Sequence, residues 1–129
     1  MRREPGERID GWARAVIGAA LEVHQALGPG YLESVYEEAL AIELGLRRIP
    51  CEWQKLVGVE YKGQAVGEGR LDLLVDGCLV VELKAVEALA PIHTAQVISY
   101  LKATGLPLGL LINFNVPLLK AGIQRVILS

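Results

Sequence analysis

Charged residues interrupt an apolar stretch of the sequence, GRLDLLVDGCLVVELKA at positions 69–85. Asp72, Asp76, Glu82 and Lys84 lie within or beside runs of Leu and Val, although an unpaired charge away from water is costly. These residues therefore either face the solvent or form a site. Two carboxylates on neighbouring strands can hold a hard divalent cation, and a lysine beside them can orient a water molecule or stabilise charge on phosphorus. This set of groups suits phosphodiester hydrolysis.

Apolar periodicity predicts the elements that carry these residues. Two helices are expected first, over about 7–27 and from about Tyr31 to Leu46. Three strands of alternating apolar residues follow as an antiparallel meander. A further helix then begins at Pro91, and two final strands are expected in LGLLINF and IQRVIL. A helix that connects two strands predicts a crossover, so the sequence predicts an α/β fold with a mixed central sheet flanked by helices, in a single domain of residues 1–129.

The two charged strands share a site only if their register places Asp72 on the same face of the sheet as Glu82. Side chains alternate across a strand, so Glu82 and Lys84 project from one face, roughly 7 Å apart along the chain. Asp72 lies on the preceding strand. A two-residue turn at Asp76-Gly77 would direct Asp72 to the face opposite Glu82.

A three-residue loop over 75–77 gives the other outcome. It pairs Leu74 with Cys78 and places Asp72 opposite Val80, on the same face as Glu82 and diagonal to it. The sequence leaves both turns open. A shared site therefore requires a loop of odd length or a bulge.

The composition is typical of one globular domain, with 52% apolar and 22% charged residues in a chain of 129. The formal net charge of −2 indicates no overall basic surface for nucleic acid. Cys51 and Cys78 are too far apart in sequence for a CxxC motif, which argues against zinc or a disulfide framework. No signal peptide and no membrane-spanning run is expected, so we predict a cytoplasmic protein.

Several motifs resemble those of a known superfamily. Asp72 followed by Glu82-Leu83-Lys84 resembles the D…(D/E)xK signature of the PD-(D/E)xK nucleases, although Leu71 stands where many members have Pro. Gln96 and Tyr100 on the following helix resemble the branch typified by RecB-type nuclease domains. GYLESVY at 30–36 reads as G-x-x-E-x-x-Y. Together with VELKAV and AQVISYLKATG it resembles the small GxxExxY proteins of bacteria and archaea, over most of the chain.

The resemblance implies a restriction-endonuclease-like core and a nuclease that uses Mg²⁺ or Mn²⁺ to cut nucleic acid, with DNA as the expected substrate. Lys84 would assist the attacking water, and Gln96 and Tyr100 would hold substrate or organise the site. The implied metal ligands are Asp72, Glu82, the Leu83 carbonyl and Glu33. A small domain without a visible DNA-binding extension would gain contact surface as a homodimer or in a larger complex.

The same residues also fit other interpretations. Glu82 and Lys84 can form a structural ion pair, and Glu33 at the start of a helix can simply stabilise the helix dipole. The acidic balance of the chain also suits a non-catalytic scaffold that binds nucleic acid or protein and keeps a nuclease-like fold.

Overall fold

A computed structural model describes residues 6–128, so the first five residues and Ser129 of the predicted domain lie outside the described part. In chain order the elements are α1 (Glu7–Leu27), α2 (Glu33–Leu46), β1 (Cys51–Tyr61), β2 (Gln64–Val75), β3 (Leu79–Lys84), α3 (Pro91–Thr104), β4 (Leu108–Asn113), a 3-10 helix (Leu119–Gly122) and β5 (Ile123–Ile127). None of the helices within 6–128 combines the length and apolar character that crossing a membrane requires.

The strands form one sheet in the order β1-β2-β3-β4-β5. Neighbouring strands are antiparallel except for β3 and β4, which run parallel. A parallel pair needs a long crossover that returns the chain to the same end of the sheet, and α3 supplies it. The predicted α/β fold, with a meander, a crossover strand and flanking helices, is confirmed.

Helices cover both faces of the sheet. One core, which includes Val16 and Leu83, lies between the sheet and the pair α1 and α2. The other, which includes Val80 and Leu101, lies between the sheet and α3. Because side chains alternate along β3, Glu82 shares the α3 face with Val80. The fold thus directs the carboxylate towards α3.

Two element boundaries and one additional element differ from the sequence prediction. α2 begins at Glu33 and not at Tyr31, because Leu32 has extended backbone angles and precedes the first helical turn. β1 begins at Cys51, six residues before Val57, which is the first of the alternating apolar residues that predicted this strand. The 3-10 helix over Leu119–Gly122 was not predicted.

The packing of α3 on β4 predicts a strong effect of a single methyl group. A Cβ added to Gly109 would lie 2.6 Å from Cγ1 of Val97. Val is stiff at χ1, so α3 must move to relieve the overlap. We expect Gly109→Ala to lower the free energy of unfolding by about 1–3 kcal/mol in urea titrations.

A control comes from Gly45 near the end of α2, where an added Cβ meets nothing within 4 Å. Gly45→Ala should leave stability unchanged or raise it by up to about 1 kcal/mol, since Gly is unfavourable in a helix. Equal effects of the two substitutions would show that α3 does not pack closely on β4.

Candidate active site

Two carboxylates bridge the strands β2 and β3 at the point where their backbone pairing ends. The ladder runs from Val75↔Leu79 to Leu73↔Val81 and stops there. At the next position the backbone N–H of Asp72 donates to Oε2 of Glu82 over 2.7 Å, and the N–H of Leu83 donates to Oδ2 of Asp72 over 2.9 Å. The side chains therefore replace the ladder bonds and satisfy both amides.

This register confirms that the loop between β2 and β3 has an odd number of residues, but the residues that form it differ from those predicted. Val75 pairs with Leu79, so the loop is Asp76-Gly77-Cys78 and not 75–77. Leu74 accordingly pairs with Val80 and not with Cys78. Asp72 comes level with Glu82 itself, so the predicted diagonal arrangement with Asp72 opposite Val80 is wrong.

The two strands separate beyond the carboxylates because each follows a different neighbour. β3 continues along β4, with Glu82 paired to Leu111 and Lys84 to Asn113. β2 instead continues along β1. The site therefore lies in the gap between β2 and β3 at the end of β3, near the centre of the sheet.

The Leu83 carbonyl also faces this gap. The N–H and C=O of one strand residue point to the same neighbouring strand. The Leu83 N–H bonds Asp72 on β2, while the Lys84 carbonyl accepts from Phe114 on the other side. The Leu83 oxygen is thus directed towards β2.

Glu82 is only 3% exposed, and this burial is the largest influence on its pKa. Loss of solvation, followed by the nearby charge of Asp72, raises the pKa of Glu82 from 4.5 to about 8, while the Asp72 N–H and the Lys84 ammonium act in the opposite direction. Lys84 itself is half-buried, with its Nζ 3.5 Å from Oε1 of Gln96. The site holds more negative charge than its own lysine offsets.

These donors fit a hard divalent cation. Each carboxylate uses one oxygen for a backbone N–H, which leaves its second oxygen for a ligand. A cation there would offset the repulsion that raises the pKa of Glu82. Within residues 6–128, no three acidic, histidine or cysteine side chains converge into a ready metal cage. The arrangement therefore suits an ion that keeps several water ligands, as Mg²⁺ does.

Glu33 approaches the same gap from α2. Burial raises the pKa of this half-buried carboxyl, the charge of Asp72 raises it further, and Lys84 lowers it. Both partners are thus within electrostatic reach of Glu33. The structure brings Glu33 near the carboxylate pair without placing it in a common metal cage.

Tyr36 explains why α2 begins where it does. Its fully buried hydroxyl donates to the Gly28 carbonyl over 2.6 Å and accepts from the Tyr31 N–H at 3.2 Å. Its ring stacks on Phe114 with centroids 4.7 Å apart. The tyrosine of the G-x-x-E-x-x-Y motif therefore pins the GPG segment, which fixes the first turn of α2 and the position of Glu33.

Gln96 and Tyr100 reach the site from α3. Burial, followed by the charge of Glu82, raises the pKa of the Tyr100 hydroxyl, while hydrogen bonds from the Arg70 backbone and Gln96 act in the opposite direction. Gln96 is exposed and lies beside Lys84. The structure thus brings Glu33, Gln96 and Tyr100 near the carboxylates and Lys84, whereas Asp76 lies in the turn after β2 and bonds Trp12.

Sequence reasoning missed residues that support these groups. A Cβ on Gly69 would lie 2.8 Å from Cε1 of Tyr100, so only glycine allows the ring to sit there. Asn113 is buried and bonds both the N–H and the C=O of Val86, which orders the segment after Lys84. An asparagine inside the apolar run LGLLINF was the available signal for Asn113. Nothing local marked Gly69.

Comparison with known proteins identifies the superfamily of the chain. The family model of the PD-(D/E)XK nuclease superfamily matches residues 10–126. The chain belongs to that superfamily, and its α/β architecture is the restriction-endonuclease-like one. Nucleases of the superfamily generally use divalent metals and act on nucleic acid. No curated protein and no solved structure matches the chain.

The raised pKa of Glu82 predicts how the metal-free protein responds to pH. Between 4.5 and about 8, folded Glu82 keeps a proton that the unfolded chain releases. Folding therefore takes up a proton in this window, and the contribution of Glu82 to stability falls as the pH rises through it. Urea titrations across the window should show Glu82→Gln becoming progressively more stable than wild type towards higher pH.

Glu38→Gln serves as the matched control, because Glu38 is an exposed carboxylate on α2. Its stability should follow that of wild type throughout. Parallel pH profiles for wild type and Glu82→Gln would contradict a proton held by Glu82.

Proposed function

We propose that this protein is a divalent-metal-dependent nuclease that hydrolyses phosphodiester bonds in DNA, with residues 1–129 acting as one domain. The observation that carries the proposal is the bridging of β2 and β3 by Asp72 and Glu82, with Lys84 on the same strand face as Glu82. An ion pair that only stabilised the sheet would not require two carboxylates to face each other, since like charges directly opposite are destabilising.

Each side chain of the site would have its own role in hydrolysis. Asp72, Glu82 and the Leu83 carbonyl would hold Mg²⁺ or Mn²⁺, and Glu33 would complete the shell through a water ligand. The bound ion would supply positive charge to the phosphate and lower the pKa of a bound water. Lys84 would orient the attacking water and stabilise negative charge on the phosphorane oxygens.

Gln96 and Tyr100 would hold the substrate or organise the site. Both side chains lie on α3, at the same face as the carboxylates. The Gln96 amide is exposed beside Lys84 and can donate to a phosphate oxygen. The Tyr100 hydroxyl, whose pKa is raised by burial and by the charge of Glu82, can do the same.

We further assign the chain to the GxxExxY proteins and to the RecB-like branch of the superfamily. The role found for Tyr36 supports the first assignment, since it gives the motif a physical purpose. Gln96 and Tyr100 beside the carboxylates support the second. A cytoplasmic location and a homodimer or larger complex stay predictions.

The test is cleavage of linear and circular DNA and of RNA, each with Mg²⁺, Mn²⁺ or chelator. We expect metal-dependent hydrolysis of DNA. Lys84→Ala should lower the rate about 100-fold or more while the fold persists, because a single charged stabiliser of the transition state has an effect of that size. Lys102→Ala, on the exposed end of α3, is the matched control and should cleave like wild type.

Two outcomes would contradict the proposal. Wild type that cuts no nucleic acid with either metal would favour the non-catalytic scaffold. Cleavage by Lys84→Ala at the wild-type rate would assign the activity to another group or to a contaminant.

A further inference from the structure

Apart from a register shift between Val59 and Glu60, the backbone ladder between β1 and β2 is interrupted close to the site. The strands pair as Trp53↔Leu73 and again as Lys55↔Leu71, with no pair between them. The residue left out on β1 is Gln54, whose φ of 54° lies in the left-handed region. A side chain makes that region unfavourable, and glutamine has no local preference for it. A contact outside the strand must therefore hold this conformation.

At the interruption, the side chains of β2 also change the face of the sheet on which they lie. Leu73 packs into the core beneath α1 and α2, whereas Leu71 packs into the core beneath α3. Residues two apart on a regular strand share a face, so the alternation changes at the residue between them. That residue is Asp72, and Gln54 lies across the ladder from it. The irregular backbone of Gln54 thus lies beside the carboxylate that begins the site.

The side chain of Gln54 makes the contact that the backbone requires. Its Nε2 donates to Oε1 of Glu37 over 2.6 Å, and both residues are half-buried. Glu37 lies one turn after Glu33, on the same face of α2. Gln54 therefore connects β1 to the turn of α2 that carries Glu33.

We propose that Gln54 is a positioning residue of the site. Its backbone opens the ladder beside Asp72, and its side chain holds α2 through Glu37 so that Glu33 is presented to Asp72. This inference rests on the proposed function, in which Glu33 takes part in hydrolysis. It assigns to the Gln54–Glu37 pair a role that neither residue type would suggest alone.

Four variants separate the contact from the backbone. Gln54→Gly adopts a positive φ without penalty, so it removes only the side-chain contact. Glu37→Ala removes the acceptor, whereas Glu37→Gln keeps an oxygen for the Gln54 amide. Glu38→Ala changes the exposed neighbour and is the matched control. We expect kcat of metal-supported cleavage to fall about tenfold in Gln54→Gly and Glu37→Ala with KM little changed, and to stay near wild type in the other two.

A double-mutant cycle tests whether Gln54 acts through Glu33. In a Glu33→Gln background, Gln54→Gly should lower the rate no further, because the group that it positions has already been lost. An equal fold-reduction in both backgrounds would overturn the inference and assign Gln54 a general structural role.

Hydrogen exchange tests the same contact without substrate. Exchange of the α2 amides should become faster in Gln54→Gly and Glu37→Ala, but not in Glu37→Gln. Unchanged exchange would overturn the inference whatever the activity. Faster exchange in a protein that cleaves nothing would support the contact and contradict only the proposed function.

Discussion

The site depends on one exchange of hydrogen bonds between two strands. Asp72 and Glu82 each accept the backbone N–H of the opposite strand where the β2–β3 ladder ends. A sheet that simply stopped pairing would leave those amides unsatisfied in a buried region, at a cost of about 1–3 kcal/mol each. The carboxylates remove that cost and allow the strands to separate. The same two side chains therefore terminate the ladder and line the gap that follows.

This arrangement has an electrostatic consequence that favours a ligand. Glu82 is buried next to Asp72, and Lys84 offsets only part of the negative charge, so the pKa of Glu82 rises to about 8. Without a cation, Glu82 keeps a proton, and this removes its repulsion with Asp72. With a cation, Glu82 can ionise and both amides keep their bonds. The surrounding helices position the other residues of the site. α2 presents Glu33 through the Tyr36 anchor, and α3 presents Gln96 and Tyr100.

Much of the fold could be predicted because its signals are local. Alternating apolar residues predicted the meander, and α3 begins at Pro91 as expected. The requirement that Asp72 meet Glu82 also predicted a loop of odd length. Which odd loop forms depends on distant contacts. Asp76 accepts a hydrogen bond from the Trp12 indole at 2.9 Å and donates its own N–H to the Pro50 carbonyl at 2.8 Å, and no local pattern encodes either contact.

The supporting residues were hidden for the same reason. Gly69 is required because a ring from α3 lies against it. Gln54 adopts a left-handed conformation that its residue type does not favour, and Glu37 on another element explains it. Such positions become visible only when the elements are assembled. Asp72, Glu82 and Lys84, in contrast, stood out because charges are rare in buried strands, whereas Glu33, Gln96 and Tyr100 were indicated only by the family resemblance.

Calorimetric titration with Mn²⁺, in the presence of a short DNA strand, tests most directly whether the two strands share one metal site. Asp72→Asn and Glu82→Gln each keep an oxygen for the backbone N–H and lose only the negative charge. We expect binding by wild type and its loss in both variants. Undiminished binding in either variant would show that the carboxylates do not form a common site.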